Sequence, residues 1–497
     1  PSERRLAAGI LGGVGSSSFY SPLIGLLRDA DPDVRASALS AAGKVRHPRL
    51  WESVIENLAS LDCHRAASAA LAEGGDAVVG LLRAAFTTPE QSKEMLLRIA
   101  RICGKIGEPE AVALLKEHSA HSDKEVAVRV LQSLSRLHYV ADSADRTSLT
   151  ETIRRDASDA QWVMSVLAEL PGAGAMKLLR AALQRELEEA AVRIFLLLSF
   201  LYDSEAVMNA RVKLERGTEE EQAYALEMLD TLVSQGVKSL VLPLLSAAFG
   251  AQCQAEERRR PDELAERLRQ VLTQEEVWIK PWTRACVLYA AAEHISDGMA
   301  EAILPALGEA ESLVRETAAW ALAVQDVDVY REHREQLRGD PATAVRAIAD
   351  AIDTRKPGEA KMLLTIEKVL VLKSVSIFSE IPDDVLAIVA NALKEADFST
   401  GEVVFEEGDI GSCMYIIVEG KVRIHDEERT IAELGPREVF GDMAVLDAEP
   451  RSASATAEED SKLLQLGQDV FYELMSDHVA IVRGVSRLLS QRLRELM

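Results

Sequence analysis

The chain has 497 residues and is strongly acidic, with 80 Asp and Glu against 56 Lys and Arg and a formal net charge of −24. Such a charge repels phosphate backbones, so we expect no binding to nucleic acid. The length exceeds what one hydrophobic core organises and predicts more than one domain, and no segment approaches the roughly eighteen apolar residues that a membrane span requires.

The first 355 residues carry Ala and Leu at helical spacing and are punctuated by short turns such as Asp31-Pro32-Asp33. A turn followed by Val-Arg recurs at Val34-Arg35, Val314-Arg315 and Val345-Arg346, and the last two valines are 345 − 314 = 31 positions apart. A period of about thirty residues predicts stacked helix pairs, because one pair cannot bury its apolar face alone. We therefore predict an α-solenoid over residues 1–355, in which each Val-Arg unit opens the second helix of a pair.

The segment from Pro22 to Gly43 resembles a HEAT repeat, and this resemblance implies a protein-binding solenoid surface. The repeat signal is poor between Thr218 and Lys280, where a polar stretch predicts an inserted helix. We expect the repeated arginines to pair with neighbouring acidic residues and assign none of them to a site. Weaker copies of the Val-Arg unit occur at His64-Arg65, Val126-Ala127-Val128-Arg129 and Ala191-Val192-Arg193.

A second domain follows a hinge at Arg355-Lys356-Pro357-Gly358. We place a linker and leading helix at residues 356–373 and the domain itself at residues 374–497. Between Glu402 and Leu466 the chain runs in short β-branched and aromatic segments separated by Gly and acidic turns, which predicts an antiparallel β-roll. These segments are Val403–Phe405, Met414–Val418 and Lys421–Ile424.

One stretch of this domain, Phe440 to Ala455, combines a glycine, a carboxylate, small residues and a single arginine. Gly441 allows backbone N–H groups to point at an oxygen without obstruction, which predicts an anion nest. Arg451 offers a planar fork of donors that suits a phosphate. Asp442 only accepts hydrogen bonds at neutral pH, so beside a phosphate it requires a donor such as a sugar hydroxyl. Phosphate and hydroxyl together indicate a nucleotide.

This stretch resembles the phosphate-binding cassette of cyclic-nucleotide-binding domains, as in the catabolite activator protein and the kinase A regulatory subunit. The resemblance extends from about Ser374 to Met497 and includes Phe378–Pro382, which opens a leading helix, and the turns Glu406–Asp409 and Val418–Gly420. It implies a mainly α fold overall, with a HEAT-like α-solenoid followed by a C-terminal antiparallel β-roll with flanking helices. It also implies cAMP or cGMP as the ligand, with cAMP the first choice.

By the family's pattern, Arg451 pairs with the cyclic phosphate, Asp442 takes the ribose 2′-hydroxyl and Ser452 lies near phosphate and base. The remaining implied contacts come from Gly441, Met443, Ala444 and Ala453. Asp442 departs from the family, which usually has glutamate there, and its reach is shorter by about 1.5 Å. Three alternatives stay open: a bridging water, a weakened or changed ligand, and a degenerate roll kept for packing.

Helical spacing returns after Leu466, and Val482, Val485 and Leu489 lie on one face of the final helix. In the resembled family this helix caps the ligand or pairs with a second copy, and plain docking on the roll is an equal alternative. A dimer through the last helix is therefore one open prediction. The helix-turn-helix of the family's transcription factors does not follow it, which agrees with the expectation of no nucleic-acid binding.

The remaining motifs predict no chemistry. The five cysteines, Cys63, Cys103, Cys253, Cys286 and Cys413, are scattered, which argues for a reduced, cytoplasmic chain. His118 and His121 lack a third ligand nearby and are interpreted as loop residues, not as a metal site. The basic cluster Arg258-Arg259-Arg260 is flanked by acidic residues and is interpreted as a solvated face. No nucleophile or phosphate-loop motif occurs, so we expect no enzyme.

HEAT repeats followed by this type of domain, together with the segment from Ile366 to Phe378, are similar to the soluble part of ADP/ATP translocase-like transporters. This resemblance implies a transmembrane portion before residue 1, and Pro1 in place of a methionine leads us to expect a piece of a longer protein. Two functions remain. One is a regulator in which a cyclic nucleotide changes the protein contacts of the solenoid, and the other is a solenoid scaffold with a ligand-free roll.

Overall fold

The computed structural model describes residues 1–60, 62–89, 91–172, 174–250, 261–274, 277, 279–354, 362–379, 381–426, 429–446, 450–477, 481–482 and 485–486. The predicted hinge at residues 355–358 and the basic cluster at residues 258–260 lie outside them. Contacts divide the chain into two compact units, Pro1–Met164 with Leu187–Gln252, and Ser165–Glu186 with Cys253–Met497. Within the described residues, no helix is both long and apolar enough to cross a membrane.

The first unit is built from helices, and those of its N-terminal part stack in two rows. Its helices are α1 (Ser2–Val14), α2 (Tyr20–Leu27), α3 (Pro32–Val45), α4 (Trp51–Glu56), α5 (His64–Gly74), α6 (Asp76–Phe86), α7 (Lys93–Ile106), α8 (Pro109–Glu117), α9 (Lys124–Arg136), α12 (Ser204–Arg216), α13 (Glu219–Leu232) and α14 (Gln235–Phe249), with α10 (Ser143–Leu167) and α11 (Ala175–Leu201) shared with the second unit. Helices α1, α3, α5, α7 and α9 pack in succession, and α2, α4, α6 and α8 form the second row. These two rows are the stacked helix pairs that the repeat pattern predicts.

Small residues let the helices of the first row approach closely. A Cβ at Gly12 of α1 would lie 2.8 Å from the Cα of Ala41 in α3, and a Cβ at Gly104 of α7 would lie 2.6 Å from the Cβ of Ser133 in α9. Because real Cβ atoms do not approach so closely, a side chain at either position would push the stacked helices apart.

The Val-Arg units open helices as the sequence predicts. Asp31 accepts hydrogen bonds from the backbone N–H groups of Asp33 and Val34 and so caps α3. Arg35 then donates Nη1 to the carbonyls of Asp29 and Ala30, at 2.8 and 3.1 Å. The weaker copy at Ala191–Arg193 differs, since it lies inside α11, where no Gly or Pro ends the helix.

The second unit continues with helices and ends in the β-roll. Its helices are α15 (Pro261–Thr273), α16 (Pro281–Ala292), α17 (Met299–Ile303), α18 (Ser312–Gln325), α19 (Val327–Arg338), α20 (Thr343–Thr354), α21 (Thr365–Ser374), α22 (Asp383–Ala392), α23 (Met443–Leu446) and α24 (Gln468–Asp477). Regular stacking returns here, with α16 on α18 and α18 on α20. Helix α21 falls inside the predicted linker and packs on both α18 and α22.

The roll consists of two antiparallel sheets. Its strands are β1 (Lys394–Phe398), β2 (Val403–Phe405), β3 (Cys413–Glu419), β4 (Val422–Asp426), β5 (Arg429–Leu434), β6 (Val439–Phe440), β7 (Ser454–Ala457) and β8 (Ser461–Gly467). The sheet orders are β1-β8-β3-β6 and β2-β7-β4-β5. The core includes Tyr415, Ile417, Val422 and Leu463. The mainly α fold with a C-terminal antiparallel roll is thereby confirmed.

Beyond α24, the structure describes only part of the predicted final helix. Ile481 and Val485 are buried, whereas Val482 is 41% exposed. Leu489 lies outside the described residues, so a dimer through this helix stays a prediction.

Candidate functional site

Arg451 lies in the loop just before β7, and its backbone is fixed by the turn at Gly408. The N–H of Arg451 donates to the carbonyl of Asp409 at 2.8 Å, and its own carbonyl accepts the N–H of Gly408 at 2.9 Å. The predicted turn at Glu406–Asp409 therefore holds the backbone of the predicted phosphate ligand. Although Arg451 is charged, the residue is only 7% exposed.

The guanidinium of Arg451 is held by backbone oxygens. Nη1 donates to the carbonyl of Gly441 at 3.0 Å, and Nη2 donates to the carbonyl of Cys413 at 2.7 Å. The buried Nε has no hydrogen-bond partner, and no carboxylate pairs with this arginine within the described part of the chain. A buried cation without a counter-charge is costly, so the site favours an anion.

The ring of Phe405 lies beneath this guanidinium. The guanidinium carbon is 4.1 Å from the centroid of the ring, well within the range of a cation–π contact. The ring also packs near Tyr415 and Phe440, with centroid separations of 6.0 and 5.8 Å. The last two rings face each other from paired positions of β3 and β6, so three aromatic side chains form one cluster beside the arginine.

Gly441 has a φ of +69°, a backbone conformation that disfavours other residues. A Cβ at this position would also overlap with Nη1 of Arg451. The glycine is therefore required both by the backbone and by the packing of the arginine.

Asp442 is 8% exposed and lines a cleft of about 230 Å³. The other walls come from residues 375–377, Met414 and residues 437–439. Arg451 is not among the lining residues, so the structure does not bring the two predicted polar contacts to this cleft together. The segment at residues 375–377 precedes α22, and the cleft therefore joins the cassette to the leading helices.

The other predicted contacts lie around this centre. Met443 begins the short helix α23 and is 57% exposed, Ser452 is exposed, and Ala453 is 9% exposed. The side chain of Ala444 and residues 447–449 lie outside the described part of the chain. The structure thus places Gly441 against Arg451, whereas Met443 and Ser452 present side chains to solvent.

Two residues of this site were not predicted as ligand contacts. The sequence indicates Phe405 only as a strand residue and Cys413 only as one of the scattered cysteines. The thiol of Cys413 lies 3.4 Å from the hydroxyl of Tyr415 and 3.1 Å from Nε2 of Gln465. Burial raises the pKa of Tyr415, and its hydrogen bond with Cys413 raises that pKa further. No sequence spacing links Phe405 or Cys413 to Arg451, because the contacts depend on how the strands pair.

The histidine pair of the helical part lies beside an aromatic ring. The rings of His118 and His121 are 6.4 Å apart, and His118 stacks on Phe86. Burial lowers the pKa of His118, and the neighbouring His121 lowers it further. Over the described residues, no cluster of three or more metal-ligating side chains occurs.

Comparison with known proteins finds a family match in the same region. Residues 395–478 match the cyclic nucleotide-binding domain family. The chain is 40% identical over 103 residues to the cyclic AMP receptor protein of Thermus thermophilus, covering 20% of this chain and 48% of that protein. It is 30% identical over 129 residues to the CRP-like cAMP-activated global transcriptional regulator of Mycobacterium tuberculosis, covering 25% of this chain and 58% of that protein.

A third relative comes from a different class of protein. The chain is 32% identical over 117 residues to the cAMP-dependent protein kinase regulatory subunit of Dictyostelium discoideum, covering 22% of this chain and 34% of that subunit. All three similarities span less than two thirds of the relative, and none covers the solenoid as a whole. The C-terminal part of the chain, from residue 395 to residue 478, is a cyclic nucleotide-binding domain.

Proposed function

We propose that this chain is a non-enzymatic regulator that binds a cyclic nucleotide in its β-roll. Binding of the nucleotide changes the contacts that the helical repeats make with another protein. The observation that carries the proposal is Arg451, a buried guanidinium whose Nε lacks a partner. The cyclic phosphate would supply the missing acceptor and the missing negative charge. Charge-assisted hydrogen bonds of this kind contribute about 1.5 to 3 kcal/mol each.

The preferred ligand is cAMP, because the names of the three relatives all refer to cyclic AMP. The predicted contact set is Gly441, Asp442, Met443, Ala444, Arg451, Ser452 and Ala453. Within this set Arg451 binds the phosphate, and Asp442 accepts from the ribose, directly or through a water. cGMP is the alternative ligand.

Contacts between the leading helices and the repeats support the transmission step. Glu316 of α18 accepts the backbone N–H of Thr365, the first residue of α21, at 3.1 Å. Lys280, which precedes α16, pairs with Asp384 in the first turn of α22 at 2.8 Å. A displacement of α21 or α22 would therefore change polar contacts with the repeats.

Helix α21 is also connected to the roll by an ion pair. Glu395 of β1 accepts from Lys368 of α21 and from Lys462 of β8, each at 3.1 Å. Charged groups thus connect the roll, α21 and the repeat helices. The proposed partner of the repeats is a protein with a basic surface, because the chain carries a net charge of −24. A second proposed partner is the nucleotide transporter that the sequence resemblance implies.

Isothermal titration of cAMP and cGMP into the full chain tests the proposal. We expect heat of binding with the wild type, none with Arg451→Glu, and wild-type affinity with Arg429→Glu, which changes an exposed arginine of the same roll. If the wild type gives no heat with either nucleotide at high protein concentration, the proposal is wrong. If Arg451→Glu binds as the wild type does, the site is misassigned.

One observation favours the alternative, a solenoid scaffold with a ligand-free roll. Both Nη atoms of Arg451 already donate to carbonyls of the domain itself, so the arginine contributes to packing without a ligand. Under this alternative, Arg451→Glu would lower the free energy of unfolding although the wild type binds no nucleotide. Urea unfolding of Arg451→Glu and Arg429→Glu, measured in addition to the titration, separates the two functions.

A further inference from the structure

The contact between Phe405 and Arg451 gives the anion site a fixed orientation. The ring supports one face of the guanidinium, and the carbonyls of Gly441 and Cys413 fix two of its nitrogens. The group cannot rotate without losing one of these three contacts. The buried Nε is then the donor that remains unused.

The ring itself is fixed by strand pairing. Phe405 lies opposite Ala455, two residues after Val403, which pairs with Thr456, and the register of β2 and β7 shifts between these pairs. This irregularity sets the direction of the strand end. Tyr415 and Phe440 pack beside the ring and restrict its rotation.

We propose that Phe405 is a positioning residue for the cyclic phosphate, acting through the guanidinium of Arg451. The inference rests on the proposed function and adds a residue to it. The attraction between a ring face and a cation depends on the ring quadrupole, so it holds the guanidinium over the ring face before a ligand arrives. A donor that is already oriented loses less side-chain entropy when it binds, and affinity rises accordingly.

The test compares cAMP binding by full-length variants that differ in the ring. Phe405→Leu removes the ring and is expected to raise the Kd for cAMP about tenfold, which is a typical strength for a desolvated cation–π contact. Phe405→Tyr keeps the ring face and is expected to restore an affinity close to that of the wild type. Phe398→Leu is the matched control, because Phe398 packs against the same core without contacting Arg451.

A purely structural role of Phe405 is excluded by changing the ring electronically at constant shape. Phenylalanines with one, two and three ring fluorines at position 405 weaken the quadrupole stepwise, and we expect the logarithm of Kd to rise with each fluorine while the melting temperature stays constant. Wild-type affinity across the fluorinated series, or in Phe405→Leu, overturns the positioning role and leaves the proposed function intact. Absence of cAMP binding by the wild type overturns both.

Discussion

The ammonium group of Lys280 lies 2.8 Å from Oδ2 of Asp384 and joins the start of α16 to the first turn of α22. The two residues are 104 positions apart, and Lys280 is 9% exposed. Burial acts to raise the pKa of Asp384, but the charge and hydrogen bond of Lys280 outweigh it and hold that pKa below 3.8. The pair therefore ties a leading helix of the nucleotide domain to the repeats.

Lys280→Met is expected to lower the free energy of unfolding by about 2 kcal/mol, because it leaves the Asp384 carboxylate without its partner. Urea unfolding at neutral pH measures the loss. The double change Lys280→Met with Asp384→Leu removes both charges and should recover most of it. Lys394→Met, at an exposed position of β1, is the control. An equal loss in the control and in Lys280→Met would contradict the role of the pair.

The sequence predicts the local features of this fold better than its long-range contacts. Val34-Arg35, Val314-Arg315 and Val345-Arg346 each lie at the start of a helix, because a turn and a capping position precede them. The strands were recognisable because β-branched and aromatic residues lie between Gly turns. These signals depend only on neighbouring residues.

The contacts at the site depend on which strands pair, and no local pattern contains that information. Phe405 reaches Arg451, 451 − 405 = 46 positions later, through the shifted register of β2 and β7. The sequence identified Gly441 and Arg451 as neighbours in a cassette, and the structure places them in contact. The support from Phe405 and from the Cys413 carbonyl could not be predicted, since either residue would look the same in an ordinary strand.

Gly441→Ala is expected to weaken cAMP binding beyond detection, because its Cβ would displace Nη1 of Arg451. Positive φ alone should also cost about 1 kcal/mol of stability. Gly401→Ala is a matched control, since Gly401 has a φ of +86° and open space where a Cβ would lie. We expect similar melting temperatures for the two variants and loss of binding only in Gly441→Ala, measured by titration calorimetry. Wild-type affinity in Gly441→Ala would show that Arg451 moves aside for the Cβ without losing its contact with the nucleotide.

Arg315→Ala is expected to lower the free energy of unfolding by about 3 to 5 kcal/mol, as the loss of a buried ion-pair partner does. Its Nε and Nη2 donate to Asp340 at 2.8 and 2.9 Å, and both side chains are about 90% buried. Arg35 donates to two carbonyls and has no carboxylate partner among the residues that the structure describes, so Arg35→Ala should cost only about 1 to 2 kcal/mol. Denaturant unfolding compares the two, and equal losses would mean that Asp340 contributes nothing.

The hydrogen bond from Arg315, assisted by the charge of Arg315, holds the pKa of Asp340 below its ordinary value of 3.8. The stabilisation from this carboxylate is therefore present above pH 3.8 and is lost as the pH falls through the lowered pKa. Arg315→Ala should reduce the loss of stability that occurs as the pH falls through this lowered pKa.

Asp442→Glu is expected to tighten cAMP binding about tenfold, since the added carbon allows a direct hydrogen bond to the ribose 2′-hydroxyl. Asp442→Asn keeps the short side chain, removes the charge and should not bind more tightly than the wild type. Titration with 2′-deoxy-cAMP checks the cause, because this ligand lacks the hydroxyl and should show no gain with Asp442→Glu. An equal gain in affinity for both nucleotides would mean that the glutamate acts through a contact other than the ribose 2′-hydroxyl.

Glu316 should make the stability of the second unit depend on pH above the usual range of a carboxylate. The residue is 1% exposed, its Oε1 accepts the N–H of Thr365, and its Oε2 is buried without a partner. Burial raises the pKa of Glu316 from its ordinary value of 4.5, although the hydrogen bonds from Thr365 and the charge of Lys368 oppose the shift. The folded state therefore holds a proton to higher pH than the unfolded state does.

Because the folded state binds more protons in this window, the free energy of unfolding falls as the pH rises from 4.5 through the raised pKa, and it levels off above it. Glu316→Gln keeps an oxygen for the N–H of Thr365 and carries no charge at any pH, so its stability should not fall across that window. Urea unfolding at intervals between pH 4.5 and neutrality measures the difference. Glu301→Gln, which changes an exposed glutamate of α17, is the control and should follow the wild type. Parallel curves of the free energy of unfolding against pH for the wild type and Glu316→Gln would contradict this prediction. They would mean that the contact between Glu316 and α21 does not depend on the charge of Glu316.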